Sequence, residues 1–513
     1  MNPTIEKKTE QDTWKDEIDE GRKDMQGLIA RGYDSLNAAC FIFLKITDAV
    51  QAKAYFNNLI LNYITSAEKK TWINPTPKGD PQNAVHIAFT SSGLKELGLN
   101  VNTFSREFVE GMNTQQRSAL LGDTENNNPK NWDWGNKEKE VHCVLMLYAR
   151  NNTALADLEK NVFTPKSPGV QLIKRVETFE YNDKDEDKEH FGFRDGLSQP
   201  VIRGFSKSST ADDHLLVKPG EFILGYINEY DNYSPSPYVE RDAKSVDLPY
   251  MPDDKNKNKK DLGKNGTYIV FRQIEQHVEK FWKFLYHNSK ETAAGKTEKA
   301  IKLAAKMVGR WPEGQPLATC PDAAGMQADL LNEFNYFDPD KDGVRCPFGA
   351  HIRRTNPRDQ VHTGRTQEDS VQMSQRHRMV RRGRIYGAPL DKKRNIENMI
   401  REVKDKNLEE KTKDGKTEIV RGLHFICMVS DIGRQFEFIQ NVWANTSTFG
   451  DLCNEVDPMI SPRPTKDQPK CHEFTTPQQI IRNRYKQVPM FTTVVGGAYF
   501  FMPGIEALKY IMK

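Results

Sequence analysis

The stretch AACFIFLKITDAVQAKAYFNNLI, residues 38–60, joins an apolar, strand-like run to a helix-like segment. The same order recurs in HCVLMLYA (142–149) before RNNTALADLEKNV, in TYIVFRQI (267–274) before EQHVEKFWKFLYHNS, and in GLHFICMVS (422–430) before DIGRQFEFIQNVWANT. Asn or Thr can cap the helix of the second unit. Two strand-helix units in each half predict an α+β fold of two split βαβ modules, each an antiparallel sheet with helices on one face.

The segment KPGEFILGY (218–226) separates the two halves, because a Pro-Gly turn there precedes an apolar run. We therefore predict an N-terminal extension over 1–24, an N-terminal module over 25–217 and a C-terminal module over 218–513. Two charged runs, 183–190 and 253–266, interrupt these elements and are interpreted as solvated loops.

Composition limits the classes of function. The 513 residues suffice for two domains of common size, and 74 basic against 71 acidic residues leave a net charge of only +3. No global field would attract nucleic acid or an anionic membrane. The sequence shows neither a transmembrane run nor a secretory signal, so a cytoplasmic location is expected. Seven scattered cysteines without a CxxC pair indicate reduced thiols.

The first candidate site is EHFGFRDGLSQPVIRG (189–204), which places Asp195 between an arginine and a glycine. A turn is the simplest interpretation, because Asp-Gly is a strong turn dipeptide and further glycines and a proline punctuate the segment. That interpretation leaves an acid within an aromatic, small-residue environment unexplained.

The second candidate is His351 in FDPDKDGVRCPFGAHIRRTNPRD (337–359). The aspartates at its start match half of a calcium loop, but Gly349 stands where a bidentate glutamate is needed, so a tight turn is preferred. A lone histidine is most often a hydrogen-bonded core residue, and no second histidine stands at zinc spacing.

The third candidate is RHRMVRRGRIYG (376–387), with five arginines in nine residues. A nucleic-acid patch is one interpretation. The interleaved Met379 and Val380 instead fit a strand with one buried face, and the aromatic platform of single-strand binders is missing. A solvated face with one or two inward arginines is therefore favoured, and an inward arginine needs a partner.

One acid, one histidine and one arginine are the equipment of a haem peroxidase. The sequence resembles the dye-decolorising (DyP-type) peroxidase family, whose GxxDG motif is matched by residues 192–196 and whose AHIRRxNPR segment is matched by 350–358. Stretches such as NGTYIVFR, MVGRWPEGQPL, DIGRQFEFIQNVW and GGAYFFMPG extend the likeness to the longer cytoplasmic-type members over most of the chain. The resemblance implies two ferredoxin-like modules in an α+β barrel, with haem in the second.

The resemblance also implies roles for individual residues. His351 would be the proximal ligand of the iron of haem b, and Asp195 would move a proton on the open face beside Arg381, for which Arg382 is the rival. The other implied positions are Arg358 as partner of a haem propionate, Leu423 and Phe425 as pocket lining, and Asp457, or else Glu455, as acceptor of the second N–H of the histidine.

The expected function is oxidation of aromatic donors such as dyes and phenols with hydrogen peroxide. A haem-binding protein for haem handling or sensing is the alternative, since His351 alone would suffice for it. A nucleic-acid-binding protein is a weaker third interpretation, and we expect neither a nucleic-acid nor a membrane partner. The sequence leaves open the physiological reductant, the pH optimum and whether the chain forms a homo-oligomer.

Overall fold

The computed structural model describes residues 10–68, 79–180, 188–205, 215–289, 295–322, 331–362, 364–404, 420–463, 473–478 and 481–513. Its helices are α1 Glu10–Gly21, α2 Ala49–Asn62, α3 Ser91–Glu96, α4 Arg106–Glu110, α5 Gln115–Leu121, α6 Asn152–Val162, α7 Val278–Asn288, α8 Lys296–Val308, α9 His351–Thr355, α10 Gln367–Arg376, α11 Ile396–Val403 and α12 Ile505–Met512. Its strands are β1 Ala38–Ile46, β2 Asn83–Phe89, β3 Cys143–Ala149, β4 Val170–Glu177, β5 Val201–Ile202, β6 Leu216–Val217, β7 Tyr238–Glu240, β8 Lys259–Asp261, β9 Thr267–Gln276, β10 Val380–Arg381, β11 Arg384–Tyr386, β12 Gly422–Val429, β13 Phe474–Pro477, β14 Arg482–Tyr485 and β15 Thr492–Met502.

The first half of the main sheet is one ferredoxin-like module. Its four strands lie in the order β2-β3-β1-β4, with antiparallel pairing throughout. Helices α2 and α6 follow the first and third strands, and each begins at a side-chain cap: Asp48 accepts the Gln51 N–H and Asn151 accepts the Ala154 N–H, both at 2.9 Å. The predicted strand-helix units of this half are therefore confirmed.

The second half repeats this arrangement. Its strands lie in the order β10-β12-β9-β15, so the first and third strands are again central. Helix α7 follows β9, whereas two short π-helical segments, Gly433–Glu437 and Ile439–Ala444, follow β12 where helix was expected. Two modules with the same strand order confirm the predicted α+β fold.

The two half-sheets close into a barrel. Phe501 in β15 pairs with Phe89 in β2, and at the other end the Phe179 N–H donates to the Ile385 carbonyl at 2.8 Å. Inward side chains from both halves fill the interior, with Phe41 and Phe271 edge-on at 5.1 Å between ring centroids. The outward faces of the sheet carry the helices and the long connections.

The long connection between β9 and β10 carries α8, α9 and α10. Helix α8 packs beside α7 in one apolar cluster that includes Trp282, Leu303 and Met307. This packing brings α9, which begins at His351, next to the π-helical segments after β12. The connection therefore carries the candidate histidine to the outer face of the second module.

The charged run 253–266 differs in part from the solvated loop expected of it. It contains β8, in which Lys260 and Asp261 are buried. Lys260 lies 3.9 Å from the centre of the Tyr250 ring, and Asp261 accepts the Gly263 N–H at 2.9 Å, so both charged groups have partners inside. In the other run, 183–187 lies outside the described residues.

The module boundaries stay a prediction. Strands β1 to β4 fall within 25–217 and β9 to β15 within 218–513, while Ile18 of α1, in the segment taken as an extension, is fully buried. None of the helices in the described ranges combines the length and apolarity needed to cross a bilayer.

Candidate active site

His351 and Asp457 form a hydrogen-bonded pair. The Nδ1 atom of His351 lies 2.8 Å from Oδ2 of Asp457, whose side chain is fully buried. Because an ionised carboxylate can only accept, Nδ1 carries the hydrogen, and Nε2 keeps its lone pair for an electrophile such as a metal ion. The pair therefore fixes both the tautomer and the direction of the imidazole.

The surroundings of Asp457 keep it ionised. Burial disfavours its charge, but His351 and Arg354 outweigh burial, and the pKa of Asp457 lies below its usual range. Its other oxygen accepts the Met459 and Ile460 N–H groups at 2.8 and 3.1 Å. Glu455, the alternative, instead accepts the Thr475 N–H at 3.0 Å.

The arginines that follow His351 anchor its short helix. Arg353 is fully buried and donates to Asp340 at 2.8 Å, in the turn that resembles half a calcium loop. Arg354, also fully buried, donates to the Trp443 carbonyl at 2.9 Å and to the Glu455 carbonyl at 2.7 Å. These bonds hold α9 to the turn at Asp340 and to the segments that carry Trp443 and Glu455. Arg353 and Arg354 therefore have a structural role.

Arg381 lies on the same sheet face as the predicted pocket lining. In β12, Leu423 and Phe425 are half-buried and alternate with buried residues. Arg381 pairs directly with Cys427 of that strand, and directly opposed residues of an antiparallel pair point to one face. Leu423, Phe425, Cys427 and Arg381 therefore share the outer face of the second module.

Arg382 faces elsewhere. Its guanidinium donates to the Leu28 and Ile29 carbonyls at 3.0 and 3.1 Å, and so binds the N-terminal part of the chain to the sheet. Arg381 instead reaches the Ser198 carbonyl at 3.3 Å, in the segment that follows the GxxDG motif. Of the two candidates, Arg381 is the one beside the motif.

Asp195 ends the tightly packed part of its loop. Gly192 has a φ of +96°, and a Cβ there would lie 2.8 Å from Ile396, so this position requires glycine. Asp195 is exposed, and its Oδ1 accepts the adjacent Gly196 N–H at 2.6 Å. The remaining oxygen is available to another group.

The electrostatics of His351 involves both other candidates. Burial lowers the pKa of His351, the Asp457 carboxylate raises it by more, and smaller opposing effects come from the charges of Arg381 and Asp195. The His351 side chain exposes 28% of its surface.

Three further arginines, Arg310, Arg358 and Arg378, form a buried cationic cluster. Desolvation lowers the pKa of Arg310 and Arg378 to about 9 and that of Arg358 to about 10, and neighbouring guanidinium groups lower the first two further. Within the described part of the chain, none of the three forms an ion pair with a carboxylate. Such a cluster suits a bound dianion, as the two propionates of a haem would provide.

The cluster was only partly predicted from the sequence. Arg358 was predicted to pair with a propionate, and this role stays a prediction. Its guanidinium donates to the Asn332 carbonyl at 2.9 Å, the Asn332 side-chain oxygen at 2.8 Å and the Phe334 carbonyl at 3.1 Å, and it lies 3.8 Å from the centre of the Phe334 ring. Arg310 and Arg378 were missed. Arg378 lies in the arginine-rich run, but only the fold reveals that it reaches the Ser198 carbonyl, as Arg381 does.

Comparisons with known proteins agree with this arrangement. A family model described as the DyP dimeric alpha+beta barrel domain matches residues 24–179. The dye-decolorizing peroxidase msp1 of Mycetinis scorodonius is 28% identical over 96% of this chain and 87% of its own length. The multifunctional dye peroxidase DyP2 of an Amycolatopsis species is 26% identical over 91% of each chain.

Solved structures share the fold. An ancestral D-type dye decolorizing peroxidase has a TM-score of 0.72 at 27% identity and covers 95% of this chain and 98% of its own. A decolorizing peroxidase of Auricularia auricula-judae has a TM-score of 0.73 at 22% identity over 96% of this chain and all of its own, which shows the fold alone. The fold is an α+β barrel, and the relatives found by sequence and by structure over most of the chain are dye-decolorising peroxidases. Members of that family depend on haem.

Proposed function

We propose that this chain binds haem b through His351 and uses hydrogen peroxide to oxidise aromatic donors such as dyes and phenols. The observation that carries the proposal is the His351–Asp457 pair, because it holds the hydrogen on Nδ1 and leaves the lone pair of Nε2 for a metal ion. A partner carboxylate makes an imidazole a stronger electron donor. This is the arrangement needed for a proximal iron ligand in a peroxidase.

Other side chains would hold the haem and line the space around it. When bound, haem supplies the redox chemistry that splits the peroxide and withdraws electrons from the donor. Arg310, Arg358 and Arg378 would hold its propionates, since each is buried with a cationic charge that lacks a carboxylate partner among the described residues. Leu423 and Phe425 would keep the peroxide side apolar and narrow.

Asp195 and Arg381 would assist the splitting of the O–O bond. Asp195 accepts a proton from one peroxide oxygen and returns it to the departing oxygen, which leaves as water. Arg381 would stabilise the negative charge that develops as the bond breaks. A related dye-decolorizing peroxidase was solved in complex with 2,6-dimethoxyphenol, which supports phenols as donors for this chain. The cytoplasmic location and the oligomeric state stay predictions.

An absorption spectrum tests the proposal and separates it from a haem carrier. We expect the purified protein to show a haem Soret band that changes within seconds of adding peroxide and returns when a phenol such as 2,6-dimethoxyphenol is added, with oxidised phenol as product. A Soret band that peroxide leaves unchanged would indicate haem handling or sensing instead. A protein that cannot be loaded with haem would refute both functions.

A further inference from the structure

Glu189 organises the loop that carries Asp195. Its two carboxylate oxygens accept the Phe191 and Phe193 N–H groups, each at 2.9 Å. Its own N–H donates to the Phe193 carbonyl and its carbonyl accepts the Gly192 N–H, again at 2.9 Å each. Glu189 therefore binds its own loop through both backbone and side chain, as far as Phe193, two positions before Asp195.

Aromatic packing makes this loop rigid. Phe191 lies 4.5 Å from Phe281 of α7, between ring centroids, and Phe193 is stacked parallel to Trp282 at 6.4 Å. The Trp282 indole N–H donates to the Phe191 carbonyl at 3.2 Å. A change in the hydrogen bonds of the Glu189 carboxyl would therefore shift the backbone that leads to Asp195, because the packed rings prevent the loop from adjusting locally.

The contact between Glu189 and Gln276 can accommodate two protonation states. The Gln276 side-chain nitrogen lies 2.5 Å from Oε2 of Glu189, while the Gln276 amide oxygen is buried without a partner in the described chain. An ionised Glu189 accepts from the amide nitrogen. A protonated Glu189 donates to the amide oxygen once the amide is turned, and 2.5 Å suits an O–H···O bond.

Charge couples Glu189 to Asp195. Burial raises the pKa of Glu189, three hydrogen bonds oppose it, and the charge of Asp195 raises it further, to about 7. The other charged and titratable neighbours are engaged elsewhere. Lys188 pairs with Glu313 at 2.7 Å, His190 bonds the Tyr386 carbonyl at 2.8 Å, and His277 bonds the Thr493 hydroxyl at 2.8 Å.

We propose that Glu189 is a positioning residue for Asp195: its carboxylate holds the loop that carries Asp195, and its protonation removes a like charge from the surroundings of Asp195. This inference rests on the proposed peroxidase function, because it assigns Asp195 a proton-moving role. Protonation of Glu189 at lower pH removes the like charge from beside Asp195. Ionisation of Glu189 at higher pH restores that like charge, which repels a negative charge on Asp195.

The test compares Glu189→Gln with Glu221→Gln in the full-length, haem-loaded protein. Glu221 is a matched control, since burial also raises its pKa to about 7 and it also accepts a backbone N–H, from Glu229 at 2.9 Å. We expect the rate constant with peroxide to show an inflection near neutral pH in the wild type and in Glu221→Gln. Glu189→Gln should lose the inflection and react about tenfold more slowly. The NH2 end of the new amide would face one of the two backbone N–H groups, and two donors cannot hydrogen-bond to each other.

Glu189→Asp keeps the titrating group but is one methylene too short to reach both N–H groups. We expect it to react more slowly than the wild type while keeping an inflection, a combination that a purely structural role would not produce. An unchanged pH profile in Glu189→Gln, or the same loss of the inflection in Glu221→Gln, would overturn the inference.

A second measurement does not depend on peroxide. The infrared band of a protonated carboxyl that Glu189→Gln removes should titrate at lower pH in Asp195→Asn, because the like charge beside Glu189 is gone. An identical titration in Asp195→Asn would refute the coupling. A shifted titration in a protein that does not react with peroxide would retain the coupling and reject the proposed function.

Discussion

The two ferredoxin-like modules have the same strand order but use their third strands differently. The outward residues of β3 in the first module, including Cys143, Leu145 and Leu147, are fully buried in an apolar cluster. On the outward face of β12, Leu423 and Phe425 are only half-buried, whereas Cys427 further along the strand is fully buried. The first module fills its outer face with side chains, and the second leaves the first half of β12 partly open.

The segments that cover each face explain the difference. Helix α6 follows β3 as a regular capped helix and packs against it. After β12 the chain takes π-helical turns, a geometry common at functional sites, and the long connection places α9 beside the second of them. The outer faces of the two modules are therefore covered by different kinds of element.

Replacing the proposed iron ligand should have the largest effect. His351→Ala should lose most of the haem absorbance per protein, because one side chain supplies the bond to iron and Asp457 cannot replace it. The matched control is His377→Ala: this ring is stacked on Phe438 at 4.0 Å and its Nδ1 bonds the Arg434 carbonyl, so haem content should persist. Full haem binding by His351→Ala would show that His351 does not hold the haem, and the second module would then have no haem ligand to set it apart from the first.

The next largest effect is expected at Arg381. Arg381→Leu should slow the reaction with peroxide by about 10²–10³ while haem stays bound, because the arginine stabilises charge that develops only during O–O cleavage. Arg382→Leu should instead lower the melting temperature and leave the rate nearly unchanged, since that side chain binds the Leu28 and Ile29 carbonyls. Stopped-flow rates and thermal melts of both variants make the comparison. The opposite pattern would mean that Arg382 faces the cavity.

Asp195→Asn should slow the same step by about 10², because an amide keeps the size and turn preference of the residue but cannot move the proton. Asp195→Ala should lose both the proton transfer and the bond to the Gly196 N–H. If Asp195 is only a turn residue, the pattern reverses: the asparagine variant reacts normally at every pH, and the alanine variant loses stability.

Periodicity and motif spacing predicted much of the fold. Each of the four apolar runs forms a strand of the barrel, because burial of such residues in a sheet is a local property that sequence records directly. The π-helical turns after β12 were not predicted, since their apolar spacing resembles that of an ordinary helix. The burial of Lys260 and Asp261 within 253–266 was also missed, because their partners, Tyr250 and Ser236, lie outside the run.

The residues of the candidate site were likewise predicted only in part. Asp195, His351 and Arg381 were proposed from the sequence, and their shared role stays a prediction; the structure shows that Asp457 bonds His351 and that Arg381 reaches the Ser198 carbonyl near Asp195. The choice between Asp457 and Glu455, and that between Arg381 and Arg382, depended on which way a side chain points, and spacing alone does not record direction. No sequence motif marks Arg310 or Glu189. Arg310 is notable because it forms no ion pair with a carboxylate among the described residues, and Glu189 because its charge interacts with that of Asp195.

The proximal pair should show a smaller effect than the residues that touch peroxide or iron. Asp457→Asn should weaken haem binding by about 10–100-fold and alter the haem spectrum, because an amide can donate to Nδ1 as well as accept from it and so no longer fixes the tautomer. Glu455→Gln is the control: its carboxylate accepts the Thr475 N–H, and haem affinity should stay within a factor of about two or three. Equal effects of the two variants would mean that the acids act through stability alone.

The smallest effect should come from trimming the open face of β12, compared with the same change on the filled face of β3. Leu145→Ala removes a fully buried side chain and should lower the free energy of unfolding by about 2–5 kcal/mol through lost transfer energy and the cavity left behind. Leu423→Ala removes a half-buried one and should lower it by only about 1 kcal/mol, because much of that surface already faces open space. Denaturant melts of the haem-free forms give both values, and the haem-loaded forms should then separate further, since bound haem would add contacts to Leu423 and none to Leu145. Equal losses of stability in the haem-free variants would show that β12 is covered as completely as β3, and that the space on this face lies elsewhere.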